Sequence, residues 1–114
     1  MEVSVLRSCP IINNLMVVIK LNSLIKSVKM TVSGRVQGVG FRYATIQLAR
    51  SLKISGWVRN NRDGSVEIVA SGYEENLNKF ISQVKKSPTP YGKVNHITVN
   101  YITNFDYDGF DVKY

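Results

Sequence analysis

Alternating apolar and polar residues predict the first regular element of the chain. Val28, Met30 and Val32 alternate with polar residues, which is typical of a strand with one buried face. Further along, small or apolar side chains recur every three or four residues, at Phe41, Ala44, Thr45, Leu48, Ala49 and Leu52. This spacing predicts an amphipathic helix over 41–52. A strand that reaches about residue 36 is therefore followed, after a short loop, by a helix.

The pattern after residue 52 predicts an antiparallel hairpin. Strand two covers about 56–61 and strand three covers about 65–71, and the Asp63-Gly64 pair between them is a strong signal for a tight turn. Gly56 is expected to accommodate the turn out of the first helix.

A second helix and two further strands complete the predicted order. Ser71-Gly72-Tyr73-Glu74 has the form of a capping box and predicts a helix that ends before Pro88. Strand four follows at about 93–101 and a short final strand at 110–114. The order β-α-β-β-α-β predicts an α+β fold, a ferredoxin-like sandwich. In this fold two helices cover one face of an antiparallel sheet, and we expect the final strand at the edge of that sheet.

Residues 1–27 form an apolar extension whose structure the pattern leaves open. Polar residues such as Asn13 and Lys20 interrupt it, so it lacks the roughly 20 nearly unbroken apolar residues of a membrane-spanning helix. Its longest apolar run, 15–19, is short for the core of a signal peptide. Three interpretations remain: an extra element packed on the domain, a flexible tail, or translated sequence upstream of a start at Met16 or Met30. The main domain is predicted to span 28–114.

Charge and cysteine content narrow the function classes. The formal net charge is +7, from 15 basic and 8 acidic residues spread along the chain. A nucleic-acid binder more often clusters its basic residues, so we expect no specific nucleic-acid partner, and the charge instead favours anionic substrates. Cys9 is the only cysteine and His96 the only histidine, which predicts neither an intramolecular disulfide nor a zinc site. This content fits a reducing compartment, and we expect a cytoplasmic protein.

Three glycines and an arginine connect the first strand to the first helix. The segment reads Gly34-Arg35-Val36-Gln37-Gly38-Val39-Gly40-Phe41-Arg42. Glycines let the backbone turn and approach a ligand closely, and the free amides at a helix start attract anions. Arg42 is a cation where the helix dipole disfavours one, so we predict that it meets an anionic ligand. On these residues alone, a tight connection with a surface arginine remains the alternative.

The loop and two further motifs closely resemble those of the acylphosphatases. The further motifs are Gly56-Trp57-Val58-Arg59-Asn60-Asn61 and Asp63-Gly64-Ser65-Val66-Glu67, and the resemblance covers about residues 28–114. It implies that water hydrolyses small acyl phosphates to a carboxylate and inorganic phosphate, which is both product and inhibitor. It also implies that no metal or cofactor takes part. We expect the enzyme to be a monomer with no membrane partner.

The resemblance also assigns roles to individual residues. The phosphoryl group is expected to bind the backbone amides of Arg35, Val36, Gln37, Gly38 and Val39 together with the side chain of Arg42. Asn60 is expected to hold the attacking water, and the phosphate of the substrate to accept its proton. Asn61 is assigned to the hairpin turn. Tyr43 and Trp57 flank the assigned residues. Lining of the pocket mouth is one interpretation for each, but we expect them to pack in the core.

Two alternatives to a small acylphosphatase remain. One is a non-catalytic ferredoxin-like module that binds anions, nucleic acid or a protein partner, which the net charge and the apolar extension favour. The other is descent from the acylphosphatase-like part of a larger carbamoyl-phosphate-processing protein.

Overall fold

The computed structural model describes residues 25–103 and 105–114. Its elements, in chain order, are β1 (Ile25–Arg35), α1 (Phe41–Ser51), β2 (Ser55–Asn60), β3 (Val66–Tyr73), α2 (Glu74–Lys85), β4 (Lys93–Ile102) and β5 (Phe110–Val112). The predicted order of elements is confirmed. Residues 25–27, which the sequence assigned to the extension, are the first residues of β1. The predictions made for residues 1–24 lie outside the described residues.

The five strands form one sheet in the order β4-β1-β3-β2-β5. The pairings of β1 with β3, β1 with β4 and β2 with β3 are antiparallel, as predicted. The short strand β5 lies at an edge, also as predicted, but it runs parallel to β2. The sheet is therefore mixed, because the chain leaves β4 at one edge and returns at the opposite edge.

Both helices pack on one face of this sheet. The strand residues that face them include Val28, Met30 and Val32, and all three are fully buried. Helix α1 contributes the buried residues Phe41 and Ala49 to this core. Helix α2 contributes Leu77, Phe80 and Val84, which are also buried. The rings of Phe80 and Phe110 meet edge to face with centroids 6.0 Å apart. No helix in the described part of the chain is long and apolar enough to cross a membrane.

Two local predictions are wrong, and both errors have a physical cause. Ser71 does not cap α2, because it lies in β3 and its hydroxyl accepts a hydrogen bond of 2.9 Å from Ser27 in the neighbouring strand. Tyr73 occupies the N-cap position without a side-chain hydrogen bond. The left-handed turn after α1 is made by Lys53, with φ of 56°, whereas Gly56 is already part of β2.

Glu67 is buried on the face of the sheet opposite the helices. Its carboxylate forms ion pairs of 3.0 Å with Lys29 Nζ and 2.7 Å with Arg59 Nη2. Burial raises the pKa of the Glu67 carboxyl, but hydrogen bonds and charge from Lys29 and Arg59 outweigh burial and hold the pKa below its usual value. The pair of cations therefore stabilises a buried anion across β1, β3 and β2.

We expect Glu67→Gln to lower the free energy of unfolding at pH 7 by about 1–2 kcal/mol. A carboxyl with a lowered folded-state pKa adds stability above its ordinary pKa of 4.5 and loses it as the pH falls through the folded-state value. The difference between wild type and variant should therefore shrink below about pH 4.5. Urea denaturation at pH 7 and at acidic pH measures this, with the exposed Glu75→Gln as control. A difference that stays constant with pH would contradict the prediction.

Candidate active site

The loop between β1 and α1 turns through two left-handed glycines. Gly38 and Gly40 have φ of 75° and 78°, which only glycine adopts readily. A Cβ atom added at either position would meet no heavy atom within 4 Å. The backbone angle therefore requires glycine there, and the space beside the loop is left open. Gly40 is also the N-cap of α1, and no side chain within 25–103 and 105–114 caps this end of the helix.

Side-chain hydrogen bonds hold this loop to distant parts of the chain. Gln37 Nε2 donates hydrogen bonds of 2.8 Å to the carbonyl oxygens of Asn61 and of Ser65 in the β2–β3 hairpin. The buried Thr89 donates from Oγ1 to the carbonyl oxygen of Val39 at 3.1 Å. Sequence reasoning missed both supports. Because their partners are backbone carbonyls, no residue type in the sequence marks the contact.

Arg42 lies in the first turn of α1, half-buried beside the loop. The helix has no acidic residue in its first turn, and Arg42 forms no ion pair with the described residues. Its Cζ atom is 5.9 Å from the centre of the Tyr114 ring. Gly38, Gly40 and Arg42 together line a cavity of about 290 Å³. The guanidinium therefore has hydrogen-bond donors available for a ligand next to the loop.

Asn60 is the last residue of β2 and lies on the helix-covered face of the sheet. It lies two residues after the core residue Val58, so both side chains are on the same face of the strand, and it pairs with the buried Val66. Its Oδ1 atom is buried and has no hydrogen-bond partner among the described residues. An unpaired buried acceptor costs about 1–3 kcal/mol, which a hydrogen-bond donor from a ligand or water would recover. Asn60 therefore has an unused hydrogen-bonding group close to the hairpin that Gln37 contacts.

The neighbouring Asn61 is a turn residue, as predicted. Its backbone amide donates to the carbonyl oxygen of Ser65 at 2.8 Å, and its side-chain Nδ2 donates to Ser65 Oγ at 3.0 Å. Asp63 accepts hydrogen bonds from the backbone amide and the hydroxyl of Ser65, which lower the pKa of the Asp63 carboxyl. The hairpin is thus held by its own hydrogen bonds.

The two aromatic residues that flank the predicted site do not pack in the core. Tyr43 is 69% exposed and lines the cavity beside Arg42. Trp57 lies on the opposite face of the sheet, where Arg59 and Lys113 stack over its ring at 5.3 and 4.6 Å from its centre. Core packing was the wrong prediction for both. His96 is exposed on β4, and residues 25–103 and 105–114 contain no group of three or more potential metal ligands of the His, Cys, Asp and Glu types.

The structure thus brings most of the sequence-predicted site residues to one end of the sheet. The amide-bearing segment 35–39 and Arg42 adjoin one another in the β1–α1 connection, and Gln37 joins that connection to the hairpin next to Asn60. A loop with left-handed glycines at a helix start, next to an arginine, defines a candidate binding site for an anionic group such as a phosphate on a ferredoxin-like sandwich.

Comparison with known proteins specifies the family. The Acylphosphatase family model matches residues 28–112. The acylphosphatase of Pediococcus pentosaceus is 53% identical over 89 residues, which cover 78% of this chain and 99% of that protein. The chain belongs to the acylphosphatase family.

Solved structures agree with the sequence comparison. The crystal structure of acylphosphatase from Bacillus subtilis has a TM-score of 0.75 and 40% identity, covering 78% of this chain and 99% of that one. An acylphosphatase structure from Coxiella burnetii has a TM-score of 0.77 and 31% identity, covering 82% and 98%. The predicted fold, family and enzyme class are confirmed, and they favour an enzyme over a non-catalytic binding module.

We expect Gln37→Leu to lower the free energy of unfolding by about 1–2 kcal/mol, because it removes two hydrogen bonds between the loop and the hairpin. Chemical denaturation measures the change. Gln47→Leu is the matched control, since Gln47 is exposed on α1. Equal stability of the two variants would contradict the structural role of Gln37.

Proposed function

We propose that this protein hydrolyses the carboxyl–phosphate bond of small acyl phosphates, using the β1–α1 loop, Arg42 and Asn60. The observation that carries the proposal is the Arg42 guanidinium, which forms no ion pair with the described residues and lines a cavity beside a loop with left-handed glycines at 38 and 40. The family of the chain supports the same reaction. The proposal includes a cytoplasmic location, which rests on the single cysteine.

The backbone amides of residues 35–39 and the Arg42 side chain bind the phosphoryl group in this proposal. Its oxygens carry negative charge in the substrate and in the transition state, and preorganised donors stabilise that charge. The position of Arg42 supports this role. A cation in the first turn is unfavourable by a few tenths of a kcal/mol because of the helix dipole, and a bound phosphate offsets that cost. Inorganic phosphate, as the product, then competes for the same donors.

Asn60 positions the attacking water. The water oxygen forms a bond to phosphorus while the bond from phosphorus to the carboxyl oxygen breaks, and the carboxylate leaves with that electron pair. The water proton passes to an oxygen of the substrate phosphate, because an amide is a poor base. The Oδ1 atom of Asn60 supports this role, because it is buried without a hydrogen-bond partner among the described residues and the carboxamide can both accept from and donate to a water.

We expect Arg42→Ala to lower kcat/KM for benzoyl phosphate by about a thousandfold or more, because the cation that faces the phosphoryl group is lost. Arg42→Lys should recover part of this loss, since it restores the charge without the planar pair of donors. Arg62→Ala is the control, because it removes the same charge from an exposed hairpin position. Similar kinetics for Arg42→Ala and Arg62→Ala would contradict the proposal.

We expect Asn60→Ala to lower kcat by about a hundredfold or more, by analogy with the loss of one oxyanion-hole donor. The inhibition constant of inorganic phosphate should stay nearly unchanged, because phosphate binds the loop and Arg42. Asn61→Ala is the matched control, and we expect it to lower stability modestly while it keeps most of the activity. Wild-type turnover by Asn60→Ala would rule out the role in positioning water.

A further inference from the structure

The cavity beside the phosphate-binding loop extends over an apolar surface that the proposed chemistry does not use. Beyond the loop glycines and Arg42, its wall includes the side chains of Tyr43, Ile46, Val112 and Tyr114. These residues come from two elements and the chain end that follows β5. They form a second surface continuous with the site.

We infer that this apolar surface binds the acyl group of the substrate and makes the enzyme prefer acyl phosphates whose acyl group is uncharged and apolar, such as a benzoyl group. The inference rests on the proposed function, because it assumes that the loop and Arg42 hold the phosphoryl group.

The covalent structure of the substrate requires the acyl group to lie near this surface. An acyl phosphate has one oxygen between phosphorus and the acyl carbon, so the acyl group begins within a few bond lengths of the bound phosphoryl group. Gly38, Gly40 and Arg42 line the same cavity as the apolar side chains. With the phosphoryl group in the loop, the remaining cavity is the space next to it.

The size of the cavity limits the acyl group. Its volume is about 290 Å³, at the lower end of the roughly 300–1,000 Å³ that is usual for small-molecule sites. A phenyl ring with its phosphate is of suitable size for such a space. A bulky acyl group would extend into solvent and gain little from the wall.

The chemistry of the wall selects against charge. Arg42 is the one charged residue among the described residues that line the cavity, and the proposed function assigns it to the phosphate. Ile46 and Val112 have side chains that form no hydrogen bonds, and Tyr43, which is 69% exposed as a residue, presents a large ring. An apolar acyl group removes this surface from water, whereas a charged one loses hydration without gaining a partner.

Binding of two phosphonates tests the inference without any reaction. Benzylphosphonate and methylphosphonate carry the same anionic group and resist hydrolysis, so the ratio of their dissociation constants reports on the apolar part alone. We expect the wild-type protein to bind benzylphosphonate about tenfold more tightly in calorimetry. Tyr43→Ala should reduce this preference to about threefold or less. Tyr43→Phe should preserve it, because the ring and not the hydroxyl makes the contact.

Two further variants sharpen the test. Val112→Thr keeps the branched shape but replaces a methyl group with a hydroxyl, and it should also reduce the preference. Tyr101→Ala is the matched control, because Tyr101 is similarly exposed, at 64%, on β4 and does not line this cavity. An equal preference in the wild type, Tyr43→Ala and Tyr101→Ala proteins would overturn the inference.

Kinetics gives a second measurement and separates the two proposals. The measured quantity is the ratio of kcat/KM for benzoyl phosphate to kcat/KM for acetyl phosphate. In Tyr43→Ala this ratio should be at least about threefold lower than in the Tyr101→Ala control. A general loss of activity lowers both values alike and leaves the ratio unchanged. Hydrolysis of both substrates at a ratio that Tyr43→Ala leaves unchanged would overturn the acyl site and leave the proposed function standing. A folded wild-type protein that neither hydrolyses acyl phosphates nor binds either phosphonate would overturn the proposed function itself.

Discussion

The candidate site depends on the two hydrogen bonds by which Gln37 joins the β1–α1 loop to the β2–β3 hairpin. β1 and β2 are not neighbours, because β3 lies between them, and two strand spacings amount to about 9–10 Å. The sheet alone therefore leaves the loop and Asn60 well apart. The side chain of Gln37 reaches across the end of β3 and ties the two segments together. The relative position of the loop amides and Asn60 is thus set by a contact outside the strand ladders.

The parts of the fold that depend on local pattern could be predicted from the sequence. The alternation around Met30 and the spacing of Phe41 and Ala49 place these residues in the core, and all three are buried as expected. The direction of β5 could not be predicted, because it depends on the edge of the sheet to which the chain returns after β4, and residue pattern does not reveal that edge. The capping role of Ser71 failed because Ser27, 44 residues earlier, contacts the same hydroxyl. A local pattern cannot reveal such a long-range contact.

The candidate site also has a part that could be predicted from the sequence and a part that could not. The loop amides and Arg42 are close in sequence, so a motif identifies them together. The proximity of Asn60 to the loop depends on sheet order and on Gln37, and neither follows from residue spacing. Thr89 donates a hydrogen bond to the backbone carbonyl of Val39, and a contact with a backbone group cannot be predicted from residue types. Tyr43 was assigned to the core because aromatic residues are usually buried, whereas its ring lies exposed at the cavity.

The contrast between the two surfaces of the cavity has an evolutionary consequence. On the loop side, the proposed phosphate recognition uses mainly main-chain groups, which a side-chain substitution changes little as long as the backbone keeps its path. On the other side, the inferred acyl recognition uses side chains of α1 and β5. Ile46 packs against the core, but Tyr43 and Val112 are exposed or half-buried and lie outside the core cluster. Substitutions at Tyr43 or Val112 cost the fold little. With these two assignments, related enzymes are free to diverge in the leaving group they accept while the phosphate chemistry stays the same.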